Sequence, residues 1–192
     1  MKSNEIKIFF KNNLFLLLII IYSLAMLSVL AFIFVGPVVY NEDAGMGQIF
    51  YDVAEPTCHQ LTQRSFCYYY DSNDNFVSID NCLPEMPRIY TKSIVVQKDD
   101  LLGYKLPVCS RCLFIYIGML FGVIPLFFMK RDRIFPLWIF ILFIIPVAFD
   151  GGLQLIGLHT STNLLRAVTG FIAGFIVPIF LIPILYKILS RF

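Results

Sequence analysis

Four stretches of this chain are apolar for long enough to cross a lipid bilayer: residues 14–35, 106–129, 134–158 and 164–189. A hydrocarbon core of about 30 Å needs roughly 20 apolar residues in a helix, so a chain that meets this demand four times has few alternatives to a helical bundle. Hydrophobic residues fill 58% of the 192 positions and charged residues only 15%, against the roughly half and one quarter usual in soluble domains. The expected class is an all-α membrane fold, a bundle of four transmembrane helices with one small module between residues 41 and 105. Residues 1–192 then form a single membrane domain, too short to carry a separate large catalytic domain. An active site would have to come from the helices and their loops.

Lys2, Lys7 and Lys11 precede the first apolar run as they would in a secretory signal. The run exceeds the usual signal core of about 7–15 residues, and no small-x-small cleavage pattern follows, so a retained helix is expected. Basic residues in short loops favour the cytoplasmic side. Those three lysines, then Lys130, Arg131 and Arg133, then Lys187 and Arg191 all fall on one side of an even-numbered bundle. Both termini are thus expected in the cytoplasm, and residues 41–105 outside the cell membrane. The lipid bilayer is the expected partner. A net charge of +2, with basic residues divided among short segments, gives no reason to expect a nucleic acid. Gly118 with Gly122 and Gly170 with Gly174 have the small-xxx-small spacing that lets helix backbones approach closely. Pro146 stands one turn before Asp150 and is placed to bend the third helix.

The module is polar, with Asp71, Asp74, Asp80, Glu85, Asp99 and Asp100 among Ser, Asn and Tyr. Residues 64–70 and 75–79, flanking Asp71-Ser72-Asn73-Asp74, predict a short β-hairpin, and residues 93–96 a third strand. Five cysteines are an odd number and cannot all pair within the chain. Cys67 and Cys82 flank the turn-rich stretch in an oxidising compartment, where a local disulfide is the simplest assignment. That leaves Cys58, Cys109 and Cys112, with His59 next to the first. Cys109 and Cys112, three residues apart at a helix start, can chelate one metal ion or close one disulfide. Three thiolates and an imidazole are a tetrahedral ligand set for zinc, and iron suits the same donors. Adjacent side chains in extended backbone point opposite ways, which also leaves His59 open to a role beside the site, bonded to Asp150 or moving a proton.

Asp150 falls near the outer end of the third helix, Gln154 one turn later on the same face, and Arg166 near the outer start of the fourth. Ionisable residues in spans face the bundle interior and pair or function there. These three are the candidate catalytic residues. A structural Asp150–Arg166 ion pair is the simpler alternative, and His159 in the outer turn is expected at the membrane interface.

In order, the chain carries Cys58-His59-Gln60, Arg64-Ser65-Phe66, Pro107-Val108-Cys109-Ser110-Arg111-Cys112, Asp150-Gly151 with Gln154, Asn163-Leu164-Leu165-Arg166, and Thr169-Gly170. In these motifs, across roughly residues 58–174, it resembles a family of small prokaryotic membrane proteins known only as a domain of unknown function. That resemblance implies no established activity. The family has Gly two positions after the second cysteine of its pair, where Phe114 stands here, and a shorter hairpin where this chain inserts Cys67 and Cys82.

Three functions fit these residues. In the first, Cys58, His59, Cys109 and Cys112 hold zinc, either structurally or, with one coordination position open, to support hydrolysis with Asp150 as base and Arg166 on an anionic group. In the second, Cys109 and Cys112 form the centre of a quinone-linked thiol-disulfide oxidoreductase, with Cys67 and Cys82 exchanging with a client. In the third, the protein is a non-catalytic accessory subunit of a membrane complex.

Overall fold

The computed structural model describes residues 3–83, 91–131, 133–158 and 160–191, with side chains from residue 13 onward. His159, Glu85 and Lys2, and the side chains of Lys7 and Lys11, lie outside this description. In chain order the elements are α1 (Ser3–Glu42), α2 (Ala44–Ala54), β1 (Phe66–Tyr70), β2 (Phe76–Asn81), β3 (Val95–Lys98), β4 (Leu101–Lys105), α3 (Ser110–Phe121), α4 (Leu137–Leu155) and α5 (Asn163–Leu189). Four helical stretches are long and apolar enough to span a membrane: Asn13–Glu42, Ser110–Phe127, Leu137–Leu155 and Asn163–Leu189.

The helix ends follow local chemistry. α1 runs beyond its apolar stretch to Glu42, and the chain turns where the Asp43 carboxylate accepts the backbone N–H groups of Gly45 and Met46 at 2.8 and 3.1 Å, starting α2. Thr162 caps α5 in the same way, its hydroxyl accepting from the Leu165 N–H at 3.2 Å. α3 is shorter than the apolar run that contains it. It begins after Pro107, where β4 has just ended, and gives way at Gly122 to a 3-10 turn (Ile124–Phe127) that contains Pro125.

Four strands form one antiparallel sheet in the order β2-β1-β4-β3, larger than the hairpin and third strand expected from the sequence. Between β1 and β2 the Asp71 carboxylate accepts from the Asn73 and Asn75 N–H groups at 2.8 and 2.9 Å, an Asx-type turn. Cys67 and Cys82 are joined by a disulfide and buried with Tyr69 and Val96 as the core of the module.

α3 and α5 pack through glycines. A Cβ at Gly118 would collide with the Phe171 carbonyl oxygen, and one at Gly174 with that of Ile115. At Gly170 it would come within 2.6 Å of the Arg111 oxygen. Both Gly-x-x-x-Gly pairs thus meet in one seam that fixes the first turns of α3 against α5. Phe114, where the resembled family carries glycine, turns away from that seam and packs on Phe66 of the sheet, ring centroids 6.4 Å apart.

The sheet is fastened to the bundle by Asn163 at the start of α5. Its amide nitrogen donates to Asn81 Oδ1 at 2.8 Å and to the Gln63 carbonyl at 3.4 Å. Its amide oxygen accepts from Ser110 Oγ at 3.1 Å and from Arg166 Nη1 at 2.9 Å. α3, α5 and the module therefore meet at one buried side chain.

Candidate metal centre

Cys58 follows a 3-10 turn (Glu55–Thr57) with Pro56 in its first positions, and its own backbone is extended, φ −146° and ψ 136°. Gln60 then reverses the chain with φ 52°, in the left-handed region that few non-glycine residues adopt. This reversal is held from within. The buried Lys105 ammonium, at the end of β4, donates to the Gln60 carbonyl at 2.7 Å and to the Lys92 carbonyl at 3.1 Å. The Tyr51 hydroxyl donates to the Lys105 carbonyl, and the Gln60 amide to that of Tyr51. Burial pulls the Lys105 amine down to about 8, against an ordinary value of 10.5.

Held this way, Cys58 meets the start of α3. Cys109 occupies the N-cap position and Cys112 the first turn, and their sulfurs are 3.5 Å apart. The sulfurs of Cys58, Cys109 and Cys112 all lie within 4.8 Å of one another. Cys58 Sγ also accepts the backbone N–H of Cys109 at 3.2 Å and of Gln60 at 3.5 Å. The neighbouring Cys109 and Cys112 thiols, with these two N–H groups adding, hold the Cys58 thiol well below its ordinary range against the opposing effect of burial. For Cys109, the Cys112 thiol favours ionisation, but the Cys58 anion and burial outweigh it and push the thiol up.

His59 is exposed and outside this three-sulfur group. The extended backbone at Cys58 sends the next side chain the other way. It lines, with Arg64, Arg111, Gln154 and Arg166, a chamber of about 150 Å³ that borders the cysteines.

Gln154 and Arg166 come together as well. With its amide oxygen facing the two cations, Gln154 accepts from Arg166 Nη2 at 2.7 Å and from Arg64 Nη2 at 3.2 Å. Asp150 does not pair with Arg166. Its carboxylate takes an ion pair with Arg111, which stands between Cys109 and Cys112, and its other oxygen has no hydrogen-bond partner among the described residues. Gly151 makes room for this pair, since a Cβ there would come within 3.2 Å of Arg111 Nη1. The sequence reading missed Arg111 as the partner of Asp150, Arg64 as a wall of the chamber, and Lys105 as the clamp on the Cys58 loop. The two arginines stood in the chain's motifs without these roles. Lys105 had no local signal, for a lysine before an apolar run looks like any residue at a membrane edge.

The model of the family described as "Predicted membrane protein (DUF2085)" matches residues 100–180, which include Cys109, Cys112, Asp150, Gln154 and Arg166. An uncharacterized protein of Methanocaldococcus jannaschii is 36% identical over 129 residues, covering 66% of this chain and 83% of that protein. An uncharacterized protein of Methanothermobacter thermautotrophicus is 37% identical over 73 residues, 38% of this chain and 66% of its own length. No solved structure matches. With four apolar helices of spanning length and a relative matched over most of its length, the chain belongs to the DUF2085 family of predicted membrane proteins.

Proposed function

We propose that the protein is a membrane-bound thiolate metal centre, with zinc held by Cys58, Cys109 and Cys112 on the outer face of the bundle. The observation that carries this is the meeting of three sulfurs from two segments about fifty residues apart in the chain, all within 4.8 Å of one another. Zinc–sulfur bonds of about 2.3 Å in a tetrahedron put ligand sulfurs about 3.8 Å apart, and the 3.5 Å between Cys109 and Cys112 is close to that. Soft thiolates select zinc, with ferrous iron the other metal these donors suit.

Three protein ligands would leave a fourth position, where a bound zinc ion would supply Lewis-acid activation of a water molecule. The residues around it have consistent roles in metal-assisted hydrolysis. Arg166 and Arg64, spaced by the Gln154 amide, hold an anionic group. His59 lines the chamber as proton acceptor, while Asp150, engaged with Arg111, positions that arginine beside the cysteines. An outward orientation is supported by the disulfide, which suits an oxidising compartment, and by Lys130, Arg131 and Lys187 at the opposite end of the helices.

The thiol–quinone reading keeps one observation in its favour, the short approach of the Cys109 and Cys112 sulfurs. Cys58 has no part in it. Elemental analysis of purified protein with thiol counting before and after reduction decides between them. One zinc per chain, three protected thiols, and loss of both in Cys58→Ser are expected. A metal-free protein whose Cys109 and Cys112 cycle through a disulfide would overturn the proposal.

A further inference from the structure

The first helix outlasts the bilayer. Its apolar stretch, Asn13–Glu42, has 30 residues, about 45 Å at the helical rise, against a hydrocarbon core of about 30 Å. α3 and α5 start at one level, joined there by Ser110 and Asn163, and Leu113 of α3 packs with Leu30 and Ile33 of α1. The last turns of α1 therefore extend about 13 Å beyond the starts of α3 and α5. The exposed edge of α1 does not change character on the way. Leu24 and Leu27, at the level of the other helices, are followed on the same edge by Val35 and Val38, exposed by 45% and 39%.

α2 returns along this projecting segment, antiparallel to it. A Cβ at Gly47 would collide with the Tyr40 Cα, Phe50 stacks on Phe32 with ring centroids 4.6 Å apart, and Val53 and Ala54 share a cavity wall with Val29 and Ile33. Cys58, in the turn that follows, is buried with Leu30 and Ile33. The two outer edges of α2 differ. Met46, Ile49 and Val53, at helical spacing, are exposed by 59%, 53% and 60%. Gln48 and Asp52, hydrogen-bonded to each other at 2.9 Å, form the other edge, continued by Glu55, which pairs with Lys92. Tyr51, beside the polar edge, bonds to the Lys105 carbonyl of β4, so the sheet stands on that side. The apolar edge is turned the opposite way, onto the side of Val35 and Val38.

We propose that α2 stands in the headgroup layer of the bilayer, on the module's side, with Met46, Ile49 and Val53 against lipid. A lipid surface fits because this edge joins the outward stripe of α1, which begins among the spans and runs to Val38. Water alone would leave that whole apolar face wet, and contiguous faces of this kind mark contact with a membrane or a protein. A helix with one apolar and one polar edge has the form that lies at a membrane surface, its polar edge kept to the water. The module is then partly sunk, and the three sulfurs lie at the level of the headgroups instead of in open water. This rests on the helices as membrane spans and requires no metal, so it goes beyond the metal reading.

The test uses the full chain in phosphatidylcholine nanodiscs, with Trp138→Phe removing the one natural tryptophan, an exposed side chain on α4. Tryptophan is then placed singly, as Ile49→Trp, Val53→Trp and Gln48→Trp. Emission is quenched either by phosphatidylcholine brominated on its acyl chains near the glycerol or by aqueous iodide. Ile49→Trp and Val53→Trp should lose emission to the brominated lipid and be shielded from iodide, and Gln48→Trp should show the reverse. Met46→Trp, on the same apolar edge, takes the place of either variant whose circular dichroism departs from the parent's. Iodide quenching at all three positions with none from the lipid overturns the proposal, since α2 then stands clear of the bilayer. Equal lipid quenching at all three overturns it as well, because the helix would lie wholly within the hydrocarbon. Shielding of Ile49→Trp and Val53→Trp from both quenchers overturns it in favour of a second copy of the chain covering this face.

Discussion

The two cysteine groups of this protein are built in opposite ways. Cys67 and Cys82 are 15 residues apart, lie on or beside neighbouring strands, and are covalently joined. Cys58, Cys109 and Cys112 are gathered from separate segments and are free thiols. The first pair needs only a hairpin to meet. The second group depends on the sheet, the Lys105 clamp and the α3–α5 seam, which together hold its sulfurs within metal-binding reach of one another. A pair that local structure brings together serves as a staple, and a cluster that the whole fold must assemble is better suited to chemistry.

That contrast breaks most sharply on metal content. Cys58→Ser should lower zinc affinity by about 3–4 kcal/mol, one ligand's share of a structural site, or several hundred-fold in a competition titration with a chelator. The double variant Cys67→Ser, Cys82→Ser should bind zinc as the parent does; equal loss in both variants would erase the distinction between the two groups. The double variant should instead lose about 3 kcal/mol of module stability, the expectation for closing a loop of this length, read as faster proteolysis between β1 and β2.

Lys105→Met sharpens the comparison at its hinge. It leaves the Gln60 and Lys92 carbonyls without their ammonium donor and loosens the loop that presents Cys58. Zinc affinity should fall about 10- to 100-fold, the usual effect of removing a supporting group from a metal site, with the disulfide intact by mass. The smallest effect is on pH dependence. Because the folded-state pKa of Lys105 is about 8 and the ordinary value is 10.5, the unfolded chain holds more protons between these values. Stability therefore rises with pH in that window, by at most about 1.4 kcal/mol per unit, and the penalty of a buried charge is fully present below it. Denaturant midpoints of the sheet's circular dichroism at pH about 8 and about 9 should show this rise in the parent, and a smaller one in Lys105→Met.

Much of this architecture is legible in the sequence because it is local. Apolar run length marks four helices, glycine spacing marks the faces of α3 and α5 that meet, and Asp71 to Asp74 mark the β1–β2 turn. β4 escaped notice because Leu101 and Leu102 blend into the apolar run that follows, and its partner β1 is more than thirty residues away. At the candidate site, the three residual cysteines could be grouped by subtracting the local pair. Which arginine meets Asp150 could not, since Arg111 and Arg166 both stand near the same end of the helices and only the placement of α4 against α3 and α5 decides between them.

Asn163 spends both ends of its amide on different parts of the molecule, one on the sheet and its approach, the other on Ser110 and Arg166. Tension on the sheet's exposed edge would pass through this one side chain into the guanidinium wall and the helix turn that bears Cys112. The sheet and the starts of α3 and α5 are therefore tied together at a single residue.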